Sequence, residues 1–196
     1  SQTLQKVVVG RNVTSIGKGA FKNCTKLGSV SISAGVTAIG NEAFRGCTSL
    51  TTVKIGSGVK TIGTAAFMGC SKLKTVTLGK NVTTIGISAF KNCTALAKIT
   101  IPSKVTSIGN SAFYGCKKLT AVTIGSGVKK IGNEAFRGCA KLKNITIKSA
   151  KLTKVGKNAL KGIPASAKIK VPSKKLSAYQ KLLKGKGQRR TVKIRK

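Results

Sequence analysis

Six cysteines are the residues of this chain best suited to chemistry. They occur every 23 residues, as Cys24, Cys47, Cys70, Cys93, Cys116 and Cys139. Equivalent residues on parallel strands ~4.8 Å apart are close enough for disulfides. Ile163, however, stands at the corresponding place further along the chain. A position that accepts isoleucine is a small apolar filler, so we predict a ladder of buried free thiols. A metal site is not supported, because the chain has no histidine and no C-x-x-C pair.

The two carboxylates, Glu42 and Glu134, are the other candidates for chemistry, since the chain contains no aspartate and no histidine. They are four repeat lengths apart, which is ~19 Å at strand spacing. Paired glycosidase carboxylates need ~5–9.5 Å. Each glutamate instead precedes an arginine by three residues, Arg45 or Arg137, the spacing of an ion pair on a helical turn. We therefore predict structural ion pairs, no catalytic residues and no cofactor.

The charge of the chain is strongly positive, with 38 Lys and Arg against 2 acidic residues, a formal net charge of +36. Such a field attracts polyanions in a salt-dependent way; equally, it could serve only to keep a monomer in solution. Sixteen of the basic residues lie in 151–196. The candidate polyanion-binding residues are Lys174, Lys175, Lys181, Lys184, Lys186, Arg189, Arg190, Lys193, Arg195 and Lys196. Few aromatic residues are left for base stacking, because all six phenylalanines share one repeat position and the only others are Tyr114 and Tyr179, the latter expected in the cap.

An internal repeat determines the positions of these cysteines, glutamates and phenylalanines in the chain. Valines at 13, 36, 59, 82, 105 and 128 each begin a unit that reads V-x-x-I-G-x-x-A-F-x-[NG]-C-x-x-L-x-x-[VI]-x-[IL]. A fixed period in this range is the signature of a solenoid, in which stacked units share one core. The sixth unit is one residue longer, and the seventh, from Leu152, is degenerate. Residues 1–12 match the second half of a unit, so we expect further repeats before Ser1.

Each unit predicts three elements. The segment Leu50-x-x-Val53-x-Ile55 has the period of a strand buried on one face. The first half of the unit is a shorter extended piece, and Ala43-Phe44 is placed on a short helical turn. That turn ends at a residue that is always Asn or Gly, which predicts a left-handed stop. Successive strands must be parallel, because every unit runs the same way round.

The C-terminal residues predict a cap. Pro164 and Pro172 bracket a last repeat strand, and Ser173 is the expected N-cap of a helix over 174–183. A final strand is expected at 191–194. We predict a repeat solenoid over 1–172 and a basic helix-strand cap over 173–196, forming one structural unit. No apolar run approaches the ~18 residues needed to span a bilayer.

The motifs L-x-x-[VI]-x-[IL] and I-G-x-x-A-F-x-[NG]-C resemble the leucine-rich repeats of the BspA-like family, over residues 4–171. The resemblance implies a right-handed α/β solenoid with parallel strands. It also implies an extracellular or cell-surface bacterial protein that serves binding or adhesion rather than catalysis.

Three functions remain open. The first is a recognition module that binds a cell-surface protein or glycan through the exposed strand face. Its candidate contacts are Ser29, Ser31, Thr52, Lys54, Thr75, Thr77, Lys98, Thr100, Ala121, Thr123, Asn144 and Thr146. The second is a polyanion binder for wall polymer or nucleic acid, whose affinity would fall steeply with salt. The third is a structural spacer without a ligand. We expect a monomer.

Overall fold

The chain forms a solenoid of parallel strands, about eight turns long, in a computed structural model that describes residues 4–196. Residues 1–3 of the predicted repeat region lie outside the described residues. Each unit contributes a short strand and then a longer one. The strands are β1 Lys6–Val9, β2 Ser15–Ile16, β3 Ser29–Ile32, β4 Ala38–Ile39, β5 Thr52–Ile55, β6 Thr61–Ile62, β7 Thr75–Thr77, β8 Thr84–Ile85, β9 Lys98–Ile101, β10 Ser107–Ile108, β11 Ala121–Ile124, β12 Lys130–Ile131, β13 Asn144–Ile147, β14 Lys154–Val155, β15 Lys168–Lys170 and β16 Lys193–Arg195.

The strands pair in parallel with an offset of one repeat, as the sequence predicts. Thr52 lies beside Thr75 and Val53 beside Val76, so equivalent residues form straight columns. The short strands make one seven-stranded sheet. The longer strands are divided into a four-stranded sheet, β1-β3-β5-β7, and a five-stranded sheet, β9-β11-β13-β15-β16.

The core is built from the same columns. The valine, isoleucine, alanine, phenylalanine, cysteine and leucine of each central unit are buried. Neighbouring phenylalanine rings, from Phe21 to Phe136, stack almost parallel with centroids 5.0–5.3 Å apart. One unit cannot cover such a ring, but its neighbours can. The facing assigned from the sequence is therefore confirmed.

The predicted helical turn in each unit is wrong. The segment consists of consecutive β-turns, such as Arg45 N–H to Glu42 O at 3.0 Å and Cys47 N–H to Phe44 O at 3.3 Å. The predicted left-handed stop is present, with a φ of 74° at Gly46. A second left-handed residue occurs four positions earlier, with a φ of 57° at Glu42. A right-handed helix cannot pass through either position.

The backbone groups of these turns are also committed to the next unit. Phe44 N–H donates to Ala66 O at 2.7 Å, and Glu42 N–H donates to Thr64 O at 2.8 Å. An amide that donates along the solenoid axis to the next unit cannot also donate to a helical hydrogen bond within its own unit. The turns thus form an inter-repeat ladder of their own, and the unit is a β-solenoid coil rather than an α/β repeat.

A single α-helix is found in the described residues. A 3-10 turn at Ser173–Lys175 leads into α1, Leu176–Leu183. The predicted N-cap role of Ser173 is wrong: Ser173 lies inside the 3-10 turn, and no side chain caps it. Tyr179 and Leu183 are buried, as the spacing indicated. Beyond α1, β16 pairs in parallel with β15.

Candidate functional site

The outer face of the longer strands carries two straight columns of side chains. Burial alternates along each strand, so that Thr52 and Lys54 are exposed while Val53 and Ile55 are buried. The first column holds Ser29, Thr52, Thr75, Lys98, Ala121 and Asn144, and the second holds Ser31, Lys54, Thr77, Thr100, Thr123 and Thr146. The structure therefore places all the predicted ligand-face residues on one face, which we call the strand face.

The strand face continues further than the sequence indicated. Lys168 and Lys170 of β15 stand beside Asn144 and Thr146, and both are exposed. Sequence reasoning missed them as face residues because the seventh unit is degenerate. The available signal was the alternation of Lys168, Ile169 and Lys170 just before a proline.

The last strand extends both columns again. Lys193 lies beside Lys168, and Arg195 lies beside Lys170, with the cations of β16 exposed. Like charges directly opposite one another on neighbouring strands repel. The strand face is thus mostly neutral along its length and ends in four cations, Lys168, Lys170, Lys193 and Arg195, which we call the cationic end.

The predicted polyanion cluster is spread over several elements. Lys193 and Arg195 belong to the cationic end, whereas Lys174, Lys175 and Lys181 lie on the 3-10 turn and α1. Lys184, Lys186, Arg189, Arg190 and Lys196 lie outside helices and strands. Lys186 is half-buried and the other nine are exposed. The structure therefore joins part of the cluster to the strand face, whereas the sequence predicts two separate surfaces.

Ion pairs lie away from this face. Within residues 4–196 they are Lys22–Glu42 at 2.8 Å, Arg45–Glu42 at 2.6 Å and Arg137–Glu134, all at turns. The two arginine pairs are those predicted, and the Lys22 contact from the preceding unit is an addition. Lys22 and Arg45 lower the pKa of the Glu42 carboxyl by hydrogen bonding. Both glutamate side chains are therefore paired with cations at the turns, and neither is paired with a lysine of the strand face.

The thiol ladder is buried, as predicted, and its six members are free cysteines. Each thiol from Cys47 to Cys139 donates to the phenylalanine carbonyl of the unit before, for example Cys70 Sγ to Phe44 O at 3.1 Å. Burial raises the pKa of the Cys139 thiol from 9.0 to about 12. A protonated thiol without solvent access is a poor nucleophile and a poor metal ligand, so the ladder is core structure.

The described residues offer little else for chemistry. No group of three or more His, Cys, Asp or Glu side chains within 4–196 is placed to hold a metal ion. In the same part of the chain, no helix has the length and apolar character needed to cross a membrane.

Comparison with solved structures shows the same architecture in other proteins. The T. pallidum leucine rich repeat protein TpLRR is 26% identical with a TM-score of 0.78, over 91% of this chain and 83% of that one. A leucine-rich repeat protein from Bacteroides ovatus is 27% identical with a TM-score of 0.71, over 97% of this chain and 59% of that one. A leucine rich cell surface protein from Faecalibacterium prausnitzii is 29% identical with a TM-score of 0.60.

The chain spans less than two thirds of the last two structures, 59% and 57% of their lengths, and 86% of this chain is aligned in the F. prausnitzii match. No curated protein sequence matches the chain. The model of the BspA type leucine rich repeat region matches residues 1–120 and 106–195, with six copies. Together with the 23-residue columns and the in-register parallel strands, this match shows that the chain belongs to the BspA-type leucine-rich repeat family.

Proposed function

We propose that the chain is a non-enzymatic recognition module, and that the strand face is its docking surface. The observation that carries the proposal is the alternation of the longer strands, which commits every second side chain to the core and leaves two columns of side chains for contact. The family and the fold are those of leucine-rich repeat proteins. The acidic side chains are held in ion pairs and the thiols are buried, which supports binding rather than catalysis.

The proposed location is extracellular or on the bacterial cell surface, and the proposed partner is a protein or glycan met there. Support comes from the F. prausnitzii structure, a leucine rich cell surface protein. The strand face consists mainly of serine, threonine and lysine. It lacks the aromatic anchors that dominate tight interfaces, so we expect weak contacts that gain strength when many copies act together.

The test compares two faces of the same solenoid. Thr100 and Thr123 lie on the strand face, whereas Thr61 and Thr84 are exposed threonines of the short-strand sheet. The double variants Thr100→Glu/Thr123→Glu and Thr61→Glu/Thr84→Glu make the same change in charge. Binding to a panel of immobilised extracellular-matrix proteins and glycans is measured at two salt concentrations. Binding lost only in the strand-face variant supports the proposal. Equal effects, or no binding to any member of the panel, as a pure spacer would show, contradict it.

A second candidate function is polyanion binding at the cationic end. The specific observation is the pairing of Lys168 with Lys193 and of Lys170 with Arg195 on adjacent strands. These four charges stand at strand spacing, and their repulsion is relieved when an anion binds between them. A sulfated glycan or an anionic wall polymer has the required chemistry.

This second function is tested by binding to heparin as salt is varied. Three variants each replace four basic residues with Gln: the cationic end; Lys184, Lys186, Arg189 and Arg190; and Lys54, Lys74, Lys98 and Lys143. Affinity set by local charges should fall most, and its salt dependence should flatten most, in the cationic-end variant. Equal losses in all three would leave only the diffuse field of the whole molecule.

A further inference from the structure

The strand face is interrupted at one place in the described residues, between β7 and β9. The longer strands pair continuously on either side, but no pairing joins these two. The short strands β6 and β8 of the same two units remain paired. Their phenylalanines, Phe67 and Phe90, also remain stacked at 5.2 Å. The units therefore separate only on the side of the strand face.

Pro102 lies at the separation. It follows β9, at a repeat position otherwise held by Gly10, Ser33, Gly56, Gly79, Gly125, Lys148 and Pro172. Pro172 follows β15, which stays paired with β13, so of the two prolines only Pro102 lies at a break in the pairing. Glycine allows close approach here, since a Cβ on Gly125 would lie 2.5 Å from the Pro102 carbonyl oxygen. Lys148 instead donates its N–H to Ile124 O at 2.9 Å. Proline can do neither, because it has a bulky ring and no N–H.

The separated strands border an open cleft of about 610 Å³, a volume within the range of small-molecule sites. Leu78 and Pro102 lie in its wall. Leu78 is only partly buried, whereas the equivalent Ile55 and Ile101 are 3% and 1% exposed. The cleft therefore exposes apolar surface that the other units keep inside the core.

Its polar lining combines two cations with hydroxyl groups. Lys80 and Lys98 contribute ammonium groups, and Thr77, Thr100 and Ser103 contribute hydroxyls. No acidic side chain lines the cleft. A simple inorganic anion would use the charges alone and leave the apolar wall and the hydroxyls unused. A ring that carries one carboxylate and several hydroxyls would use the charges, the hydroxyls and the apolar wall, with its C–H surface against Leu78 and Pro102.

We propose that this cleft binds an acidic sugar residue, of the uronic acid class, within a surface glycan. The assignment rests on the proposed function of the strand face and names its ligand class. The carboxylate lies between the Lys80 and Lys98 ammonium groups, and the sugar hydroxyls meet Thr77, Thr100 and Ser103.

The test is calorimetric titration of the full chain with an oligogalacturonate, beside a neutral galactose oligomer, inorganic sulfate and a short peptide with a free C-terminal carboxylate. We expect the oligogalacturonate to bind at least tenfold more tightly than the other three. Pro102→Gly restores the residue of most other units and leaves the charge unchanged. It should close the cleft, weaken oligogalacturonate binding at least tenfold and slow amide exchange in β7 and β9.

A matched pair of charge variants completes the experiment. Lys80→Gln/Lys98→Gln should lose binding at least tenfold. Lys130→Gln/Lys154→Gln removes the same charge from exposed residues of the short-strand sheet and should change binding less than threefold. Three results would contradict the proposed binding site in the cleft. They are equal losses in the two pairs of variants, equal or tighter binding of the sulfate or the peptide, and unchanged binding by Pro102→Gly. The proposed function would survive that result, because its Thr100→Glu/Thr123→Glu comparison does not depend on an acidic sugar.

Discussion

The phenol of Tyr179 bridges the two ends of the extra turn that begins at Ser149. It donates to Ser149 O at 2.9 Å and accepts from Leu152 N–H at 3.0 Å. Ser149 is fully buried, and its hydroxyl donates to Val128 O at 2.6 Å. The one-residue insertion of the sixth unit is therefore held by α1, which joins the C-terminal segment to the repeats.

Removing the Tyr179 hydroxyl should weaken the attachment of α1 to the repeats. Tyr179→Phe leaves the buried Ser149 carbonyl and the Leu152 amide without a partner, a loss of about 1–3 kcal/mol. Urea unfolding measures the change in the free energy of unfolding. Tyr114→Phe is the control, since Tyr114 is half-buried with Lys91 4.9 Å above its ring and should change stability by less than ~0.5 kcal/mol. Equal effects would contradict the bridging role.

The phenylalanine stack should be costly to interrupt in the middle. Phe90 is fully buried between Phe67 and Phe113, so Phe90→Ala should destabilise by ~3–5 kcal/mol. Phe21 is only partly buried, and Phe21→Ala should cost less. Denaturant midpoints give both values, and a loss below ~1 kcal/mol at Phe90 would mean that the ring contributes little to the core.

Left-handed backbone at non-glycine residues should lower the free energy of unfolding, and replacing such a residue with glycine should raise it again. Ala65 has a φ of 54°, a conformation that costs an L-residue ~1–2 kcal/mol. Ala65→Gly should stabilise by ~0.5–1 kcal/mol after the entropy of glycine is subtracted. The neighbouring Ala66 is fully buried with an ordinary φ, and Ala66→Gly should destabilise. Thermal unfolding of the two variants should therefore shift in opposite directions.

The buried thiols should make stability depend on alkaline pH. Burial raises the pKa of Cys93, Cys116 and Cys139, so the native state keeps protons that the unfolded chain releases. The contribution is complete below about pH 8.5 and is lost as pH rises toward 12, by up to ~4 kcal/mol per pH unit for three thiols. Lysine deprotonation acts on the native protein and its variants alike. Urea unfolding of a Cys93→Ala/Cys116→Ala/Cys139→Ala variant should therefore show a weaker pH dependence, and an identical dependence would contradict thiol burial.

Much of the strand face follows from the repeat itself. Because Val53 and Ile55 recur every 23 residues with one residue between them, their burial exposes Lys54 and aligns it with Thr77. The left-handed position at Glu42 does not follow, since glutamate has no preference for positive φ and is held there by neighbouring units.

The cleft and the cationic end depend on contacts between particular residues of different units, which a consensus sequence does not show. Pro102 reads as one variable position in the repeat, and only the structure shows that a side chain at this position can meet the backbone of the preceding unit, as a Cβ on Gly125 would meet the Pro102 carbonyl oxygen. Lys170 and Arg195 are 25 residues apart and become neighbours only because the last coil is completed by β16.

Lysine acetylation read by mass spectrometry shows directly whether ligands dock on the strand face. Lys54, Lys98, Lys168 and Lys170 are exposed on the strand face, whereas Lys130 and Lys154 are exposed on the short-strand sheet. The chain is labelled alone and with saturating heparin or oligogalacturonate. We predict that acetylation slows at the strand-face lysines and is unchanged at Lys130 and Lys154. Protection of the short-strand lysines, or equal protection of both sets, would mean that ligands do not dock on the strand face.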